Sequence, residues 1–259
     1  MSIKTENELE LFKKSLFITM KTHSNIEKKL QNTKITNTSQ IQEIITKFLK
    51  KENINGYAFK PIIGYNRKIP DLHYYHNNDK LPNDCLILVD IGYKYKGYCS
   101  DVTRCYNIDN TIKKNIYTFS QNIQNYVYSI VKPGMTFNDI EDSYLNEYIQ
   151  NLVNLEILNE DTYTVTTKNK IRSLFQPHSI GHSIHKVVHE PMSYNAKLKP
   201  NMIITIEPGI YFSDTIEQDL DTLNVDYDKK VLQDYKQYGG SRMEDMFLIT
   251  KNGCSKINP

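Results

Sequence analysis

Four carboxylates and a run of histidines stand where burial makes them costly. Asp90 closes the apolar run CLILVDIG (85–92), and Asp101 falls inside GYCSDVTRCY (97–106). Glu207 is embedded in MIITIEPGIYF (202–212), and Glu244 lies in SRMEDMFLIT (241–250). His178, His182, His185 and His189 cluster in QPHSIGHSIHKVVHEP (176–191). A carboxylate in a strand interior loses several kcal/mol of hydration unless positive charge pairs with it. Arg104 and Arg242 are the nearby cations, too few for four carboxylates. Two divalent ions would balance them, with one neutral imidazole completing the shell. A mostly oxygen donor set favours a hard ion such as Mn²⁺, while Co²⁺ and Zn²⁺ are compatible with mixed oxygen and nitrogen ligands.

Taken singly, each of these carboxylates reads equally as a strand-end or salt-bridged group, and the histidines as a surface cluster. The combination of Asp90, Asp101, His182, Glu207 and Glu244 is what points to a dinuclear metal site. Strand geometry agrees: residues 99, 101 and 103 share a face, as do 205 and 207, and 242 and 244.

The elements that must hold these residues can be traced along the chain. Leu9, Phe12, Leu16 and Ile18–Met20 recur at helical spacing and predict an amphipathic helix over 6–30. Ser39 followed by Gln42 resembles a capping box opening a helix over 39–51. GYAFKPII (56–63) reads as a short strand, and CLILVDIG as a buried one. Lys94–Gly97 forms a turn, from which 97–106 returns as a strand. A helical pattern covers 110–131, stops at Pro133-Gly134 and restarts behind Thr136, an N-cap. Residues 152–175 are poorly patterned, 202–212 and 241–250 read as strands, and 213–240 is polar. Helices followed by strand pairs, twice over, predict an α+β domain with two related halves.

At 259 residues with 39% hydrophobic content, the chain can bury a sizeable core. A net charge of +2 gives no electrostatic reason for a nucleic-acid or anionic-membrane partner. No apolar run reaches the ~18–20 residues of a membrane span, and MSIKTENELELFKKS lacks a secretory apolar stretch. Cys85, Cys99, Cys105 and Cys254 show no C-x-x-C spacing, so a reducing cytoplasm is the expected setting. Cys99 and Cys105 would share the Asp101 face of a regular strand, and read as small buried thiols.

VDIGYKYKGYCSDVTR, PHSIGHSIHKVVHEP, TIEPGIYF and GGSRMEDMFLIT resemble, in order, the motifs of the pita-bread metallopeptidases, peptidase family M24. That family includes methionine aminopeptidase, aminopeptidase P and prolidase. The resemblance spans about residues 5–255, so residues 1–259 read as one catalytic domain without the family's N-terminal creatinase-like domain. It implies a pita-bread fold, with pseudo-twofold halves and a curved antiparallel sheet covered by helices. It further implies that Asp90 chelates one ion, that Asp101 and Glu244 bridge both, and that His182 and Glu207 complete the other. A water or hydroxide between the ions is then the nucleophile, with Glu207 as proton shuttle. His178 and His189 match family histidines that contact substrate and the tetrahedral intermediate. His73 matches another active-site histidine, and Arg242 can orient the carboxylates or bind substrate.

The histidine run admits two registers, of which the resemblance favours His182 with His189. His182 with His189 keeps an H-x-x-G-H core like that of prolidase and aminopeptidase P; His178 with His185 follows methionine aminopeptidase. PGIYF, the segment 213–240 and the Gly pair before Arg242 resemble the proline-handling branch. The implied activity is hydrolysis of Xaa-Pro bonds in dipeptides or short peptides with proline second, with Tyr211 and His73 helping to build an apolar proline pocket. Methionine aminopeptidase is the alternative, and a non-catalytic peptide-binding module on the same fold is a third. No arginine precedes TIEPGIYF where prolidases often place one, leaving Lys197 or Lys199 to hold a dipeptide carboxylate. The resemblance also admits a homodimer.

Overall fold

The computed structural model describes residues 1–51 and 54–258. Helix α1 (Glu6–Asn32) opens with a capping box, Thr5 accepting from the Glu8 N–H while the Glu8 carboxylate accepts from Thr5. Its buried residues, among them Phe12, Leu16, Thr19, His23 and Ile26, recur every three or four positions and form one inward stripe. Helix α2 (Thr38–Lys51) is capped two residues earlier than the Ser39 reading. The Asn37 side chain accepts from Ser39 N–H at 2.7 Å, and Gln40 accepts from Asn37 N–H at 3.1 Å. The same box chemistry thus operates with Asn and Gln in register 37–40.

Strands β1 (Ile62–Tyr65), β2 (Ile87–Ile91), β3 (Lys94–Tyr95), β4 (Tyr98–Cys99) and β5 (Val102–Tyr106) build the first half. Helices α3 (Thr111–Ile130), α4 (Phe137–Asn154) and α5 (Val165–Phe175) follow. The second half contains β6 (Ile203–Ile206), β7 (Gly209–Tyr211), α6 (Ile216–Thr222), α7 (Lys229–Lys236), β8 (Gly240–Arg242), β9 (Asp245–Ile249) and β10 (Cys254–Lys256). The halves mirror each other. An antiparallel sheet β1-β2-β5 carries the β3-β4 ribbon, and an antiparallel sheet β10-β9-β6 carries the β7-β8 ribbon. Helices α1 and α2 pack on the first half, while α3 lies against β6, β7 and β8 and is backed by α4. This is the α+β arrangement with related halves that the order of elements predicts.

The strand at 56–63 begins only at Ile62, behind Pro61, which cannot donate to a ladder. The return strand 97–106 is two strands separated at Ser100 and Asp101. Helix α5 was invisible in the sequence because only Ile171 and Phe175 are buried along it. Helices α6 and α7 bury two apolar residues each, Ile216 with Leu220 and Leu232 with Tyr235. Such short pairs fall below the length at which periodicity is legible. Among the described residues, no helix is long and apolar enough to cross a membrane.

One buried titratable group lies between α1 and the first sheet. His23 Nε2–H donates to the Val102 carbonyl at 3.1 Å, and its Nδ1 accepts from the Tyr106 hydroxyl at 2.7 Å. Burial, reinforced by the Arg104 charge, lowers its pKa to about 3. The unfolded chain takes up this proton near pH 6.5, the folded one only near 3, so acid favours unfolding across that window. Stability should therefore fall by about 2 kcal/mol from this group between pH 7 and 5. Urea midpoints of wild type and His23→Gln across that range check it. The variant keeps both hydrogen bonds and should show the shallower loss, and parallel pH curves would refute the assignment.

Candidate metal centre

Three strand breaks and the end of β2 converge. Asp90 sits at the end of β2, paired across the ladder with Thr103, and Asp101 immediately precedes β5. Glu207 fills the gap between β6 and β7, and Glu244 the gap between β8 and β9. Asp90 stays in the ladder, whereas leaving it frees Asp101, Glu207 and Glu244 from strict alternation. The backbone is held by cross-links between elements: Glu207 N–H donates to Ile180 O at 2.8 Å, and Met243 N–H to Pro208 O at 3.1 Å. Two glycines permit the close approaches that this needs. A Cβ at Gly92 would stand 1.9 Å from Ser100 O, and one at Gly181 would stand 2.1 Å from Thr205 O. Gly181 lets the next residue clip to β6, with His182 N–H donating to Thr205 Oγ1 at 2.9 Å and Thr205 N–H to His182 O at 2.8 Å.

The result is a cavity of about 350 Å³ lined by all five predicted ligands together with His73, His178, His189 and Arg242. His182 Nε2 lies 3.4 Å from Asp101 Oδ2, 3.4 Å from Glu207 Oε1 and 4.0 Å from Glu244 Oε1. Donor atoms of Asp101, His182 and Glu244 all lie within 4.8 Å of one another. His182 Nδ1–H donates to the Ser183 carbonyl at 3.2 Å, so the Nε2 lone pair faces the carboxylate oxygens. Acceptor facing acceptor is repulsive unless a cation stands between them. Asp90 Oδ1 and Asp101 Oδ1 are buried and accept no hydrogen bond. Burial first, and then mutual repulsion, pushes the pKa values of Asp101 and Glu244 well up, and burial raises that of Glu207. The donor set therefore fits divalent ions, which would satisfy the orphaned oxygens and keep the carboxylates ionised.

Arg242 is the permanent counter-charge. Its Nη2 donates to Asp90 Oδ2 at 2.6 Å, Nη1 to the Tyr211 hydroxyl at 2.8 Å, and Nε to Thr103 Oγ1 at 3.1 Å. Thr103 passes the chain on, donating to Glu244 Oε2 at 2.7 Å. Sequence reasoning did not name Thr103, although its place two residues past Asp101 on the same strand face was the available signal. Arg104, on the opposite face of β5, points away from the site and pairs with Asp245 at 2.5 Å. Alternation along the strand is the reason.

The structure separates the histidines. His178 Nδ1–H donates to Ser179 O at 2.8 Å, and its Nε2 accepts from the Tyr211 hydroxyl at 3.0 Å. Both ring nitrogens are thus engaged, and burial beside Arg242 lowers its pKa to about 3, so it is neutral. His189 is also shifted down, by burial and then by His182, whose ring centroid is 4.3 Å away. His73 stands on the cavity wall with its ring 6.0 Å from Tyr75. His185 is elsewhere, with Nε2 3.2 Å from Glu8 Oε1 and its ring against Phe12 and Tyr98. His178, His182 and His189 thus line the cavity, and His185 does not.

Three expectations about side chains are corrected. Tyr211 is 1% exposed and ties Arg242 to His178 instead of lining the cavity. Neither Lys197 nor Lys199 lines the cavity. Cys99 and Cys105 do not share a face, because the break at Ser100 and Asp101 sends them into different apolar clusters. Both thiols are buried and pushed up to about 11.

A family model described as "Metallopeptidase family M24" matches residues 10–251. A probable Xaa-Pro aminopeptidase of Tuber melanosporum is 30% identical over 277 residues, spanning 99% of this chain and 60% of that protein. One from Emericella nidulans is 28% identical and covers 98% and 59%. Zinc-substituted Escherichia coli aminopeptidase P superposes with a TM-score of 0.84 at 22% identity, over 99% of this chain and 56% of that one. Pseudomonas aeruginosa aminopeptidase PepP gives 0.83 at 22%, over 99% and 56%. These superpositions show the pita-bread fold. The chain spans about three-fifths of the length of these curated relatives.

Arg242 and Asp90 make a buried pair with no slack. In metal-free protein, Arg242→Met should cost about 3–5 kcal/mol of folding stability, because the Asp90 carboxylate is left unpaired. Urea denaturation in the presence of a chelator measures this, and a cost below about 1 kcal/mol, typical of exposed pairs, would show that the pair is not the site's anchor.

Proposed function

The chain belongs to metallopeptidase family M24, and from that premise we propose that it is a dinuclear metal-dependent hydrolase removing the N-terminal residue from short peptides with proline second. The observation that carries this reading is the convergence of Asp90, Asp101, His182, Glu207 and Glu244 on one cavity, with two carboxylate oxygens orphaned and the His182 lone pair facing acceptors. Those five residues would hold two divalent ions. The oxygen-rich set favours Mn²⁺, with Co²⁺ and Zn²⁺ as substitutes. When bound, such ions lower the pKa of a coordinated water and polarise a carbonyl.

The chain's own residues supply the rest. Glu207 takes the proton from the attacking water and delivers it to the departing proline nitrogen. Its Oε2 lies 4.0 Å from His178 Nδ1, and that neutral imidazole leaves the carboxylate free to act as base. His178 is fixed by Tyr211, which Arg242 fixes in turn, so the wall that meets the substrate is preorganised. His189 and His73, on the cavity surface, contact the peptide. Apolar Phe59, Ile62, Leu72 and Met192 line the same cavity and suit a proline ring.

Aminopeptidase action is favoured over dipeptidase action by the charges of the lining. Among the described lining residues, Arg242 alone is an arginine or lysine, and its nitrogens are committed to Asp90, Thr103 and Tyr211. A dipeptide's carboxylate therefore finds no dedicated cation. The relatives named as Xaa-Pro aminopeptidases support the same choice.

The test is a panel of Xaa-Pro-Xaa peptides, Xaa-Pro dipeptides and a Met-Ala peptide, with Mn²⁺, Co²⁺ and Zn²⁺ in turn. Cleavage concentrated on Xaa-Pro-Xaa is expected, and Glu207→Gln should lower kcat by about 10²–10⁴-fold with peptide binding retained. Release of Met from Met-Ala with no action before proline would overturn the proposal.

A further inference from the structure

Lys4 is a fully buried lysine that the chemistry above does not use, with a side-chain exposure of 0%. An ammonium excluded from water is costly unless paired and hydrogen-bonded. Lys4 Nζ donates to Glu190 Oε2 at 3.2 Å, to Ser2 Oγ at 2.7 Å and to Ser2 O at 3.0 Å. Its backbone N–H donates to Asn201 O at 2.7 Å, pinning this strap just ahead of β6.

The partner carboxylate explains the arrangement. Glu190 follows His189, and its Oε2 also accepts from Ser183 Oγ at 2.5 Å, while Glu190 N–H donates to Ser183 O at 2.9 Å. Ser183 follows His182. The two bonds close residues 183–190 into a loop whose base carries one histidine on each side. The two sides are held differently. His182 is clipped to β6 through Thr205 by its own backbone. On the returning arm Lys186, Val187 and His189 are exposed, while Val188 is half-buried against the cluster that contains Phe12 and Leu16. Nearer the tip, Cys99 N–H donates to His185 O at 2.9 Å, and His185 N–H makes a local bond to Val187 O at 3.1 Å. The hydrogen-bonded end of the arm is Glu190, whose carboxylate is held jointly by Ser183 and Lys4.

We propose that Lys4, acting through Glu190 and Ser183, is a positioning residue that holds His189 against the cavity. The inference rests on the reading above in one respect only, that His189 meets the substrate. Because the His182 clip does not pass through Lys4, loss of the clasp should reach turnover and leave metal binding in place. A displacement of about 1 Å at such a group can cost up to ~10²-fold in rate.

The experiment compares wild type, Lys4→Met, Lys4→Arg and Glu190→Gln in the full chain. In Lys4→Met, kcat on Xaa-Pro-Xaa should fall about 10–100-fold with KM nearly unchanged. Metal affinity by calorimetry should be unaltered, and Lys4→Arg should restore most of the rate. The loss should be non-additive with His189→Ala. Unchanged kcat in folded Lys4→Met, or full additivity, would overturn the proposal. Glu190→Gln, which keeps an acceptor for Ser183, serves if Lys4→Met does not fold, and is held to the same outcomes. A readout independent of activity is the His189 imidazole resonance in carbon-edited NMR. Shift or broadening is expected without Lys4, and an identical resonance would contradict the clasp. If His189→Ala leaves kcat unchanged, the functional reading of His189 fails while the NMR comparison still decides the clasp.

Discussion

Four carboxylates crowd around one small cavity, and the protein supplies a single guanidinium to oppose them. Asp101 and Glu244 are pushed toward protonation by burial and then by their carboxylate neighbours, and Glu207 by burial. A folded chain tolerates that crowding only if further positive charge enters or protons are retained. Much of the architecture follows from holding the crowd together. Arg242, Thr103 and Tyr211 form a hydrogen-bonded spine behind the cavity.

The frame solves the placement problem by symmetry. Each half offers an antiparallel strand pair with a short ribbon at its end, and each pair is interrupted between sheet and ribbon. Asp101, Glu207 and Glu244 stand at these interruptions, released from the ladder yet anchored by strands on both sides, while Asp90 is held within β2. Asp90 and Asp101 come from one half, Glu207 and Glu244 from the other. Helix α3 packs on the second half, and Gln124 donates to Ile206 O at 3.0 Å and Met243 O at 3.2 Å, steadying the backbone next to Glu207 and Glu244. Rigid strands place the four carboxylates; the His182–Glu190 loop is tied at its base by Ser183 and Glu190.

The cavity's carboxylates were legible because they break a rule that sequences otherwise obey. Asp90, Glu207 and Glu244 interrupt apolar strand patterns, and such violations mark sites where charge is compensated by something other than the chain. The long helices α1, α3 and α4 were legible through periodicity and through the Thr136 cap. Other features were hidden for physical reasons. Helices α5, α6 and α7 bury too few side chains to show a period. The kink at Ser100 and Asp101, which decides where Cys99 and Cys105 go, depends on tertiary cross-links such as Ser100 Oγ to the Tyr93 backbone. Spacing alone admits His182 or His178, and the preference for His182 comes from the resemblance; what each ring nitrogen touches, Tyr211 and Ser179 for His178 and carboxylate oxygens for His182, depends on tertiary placement. Lys4 was unreadable for a similar reason, since its partner Glu190 lies far along the chain and nothing local announces the pair.

The central claim is that two divalent ions complete this site, and their stoichiometry tests it most directly. Metal-free protein titrated with Mn²⁺, with free ion followed by electron paramagnetic resonance, should take up two equivalents per chain. Glu244→Ala, lacking a carboxylate oriented by Thr103 toward the centre of the cluster, should lose that second equivalent. Uptake of no ion, or of one that is indifferent to Glu244, would contradict the account.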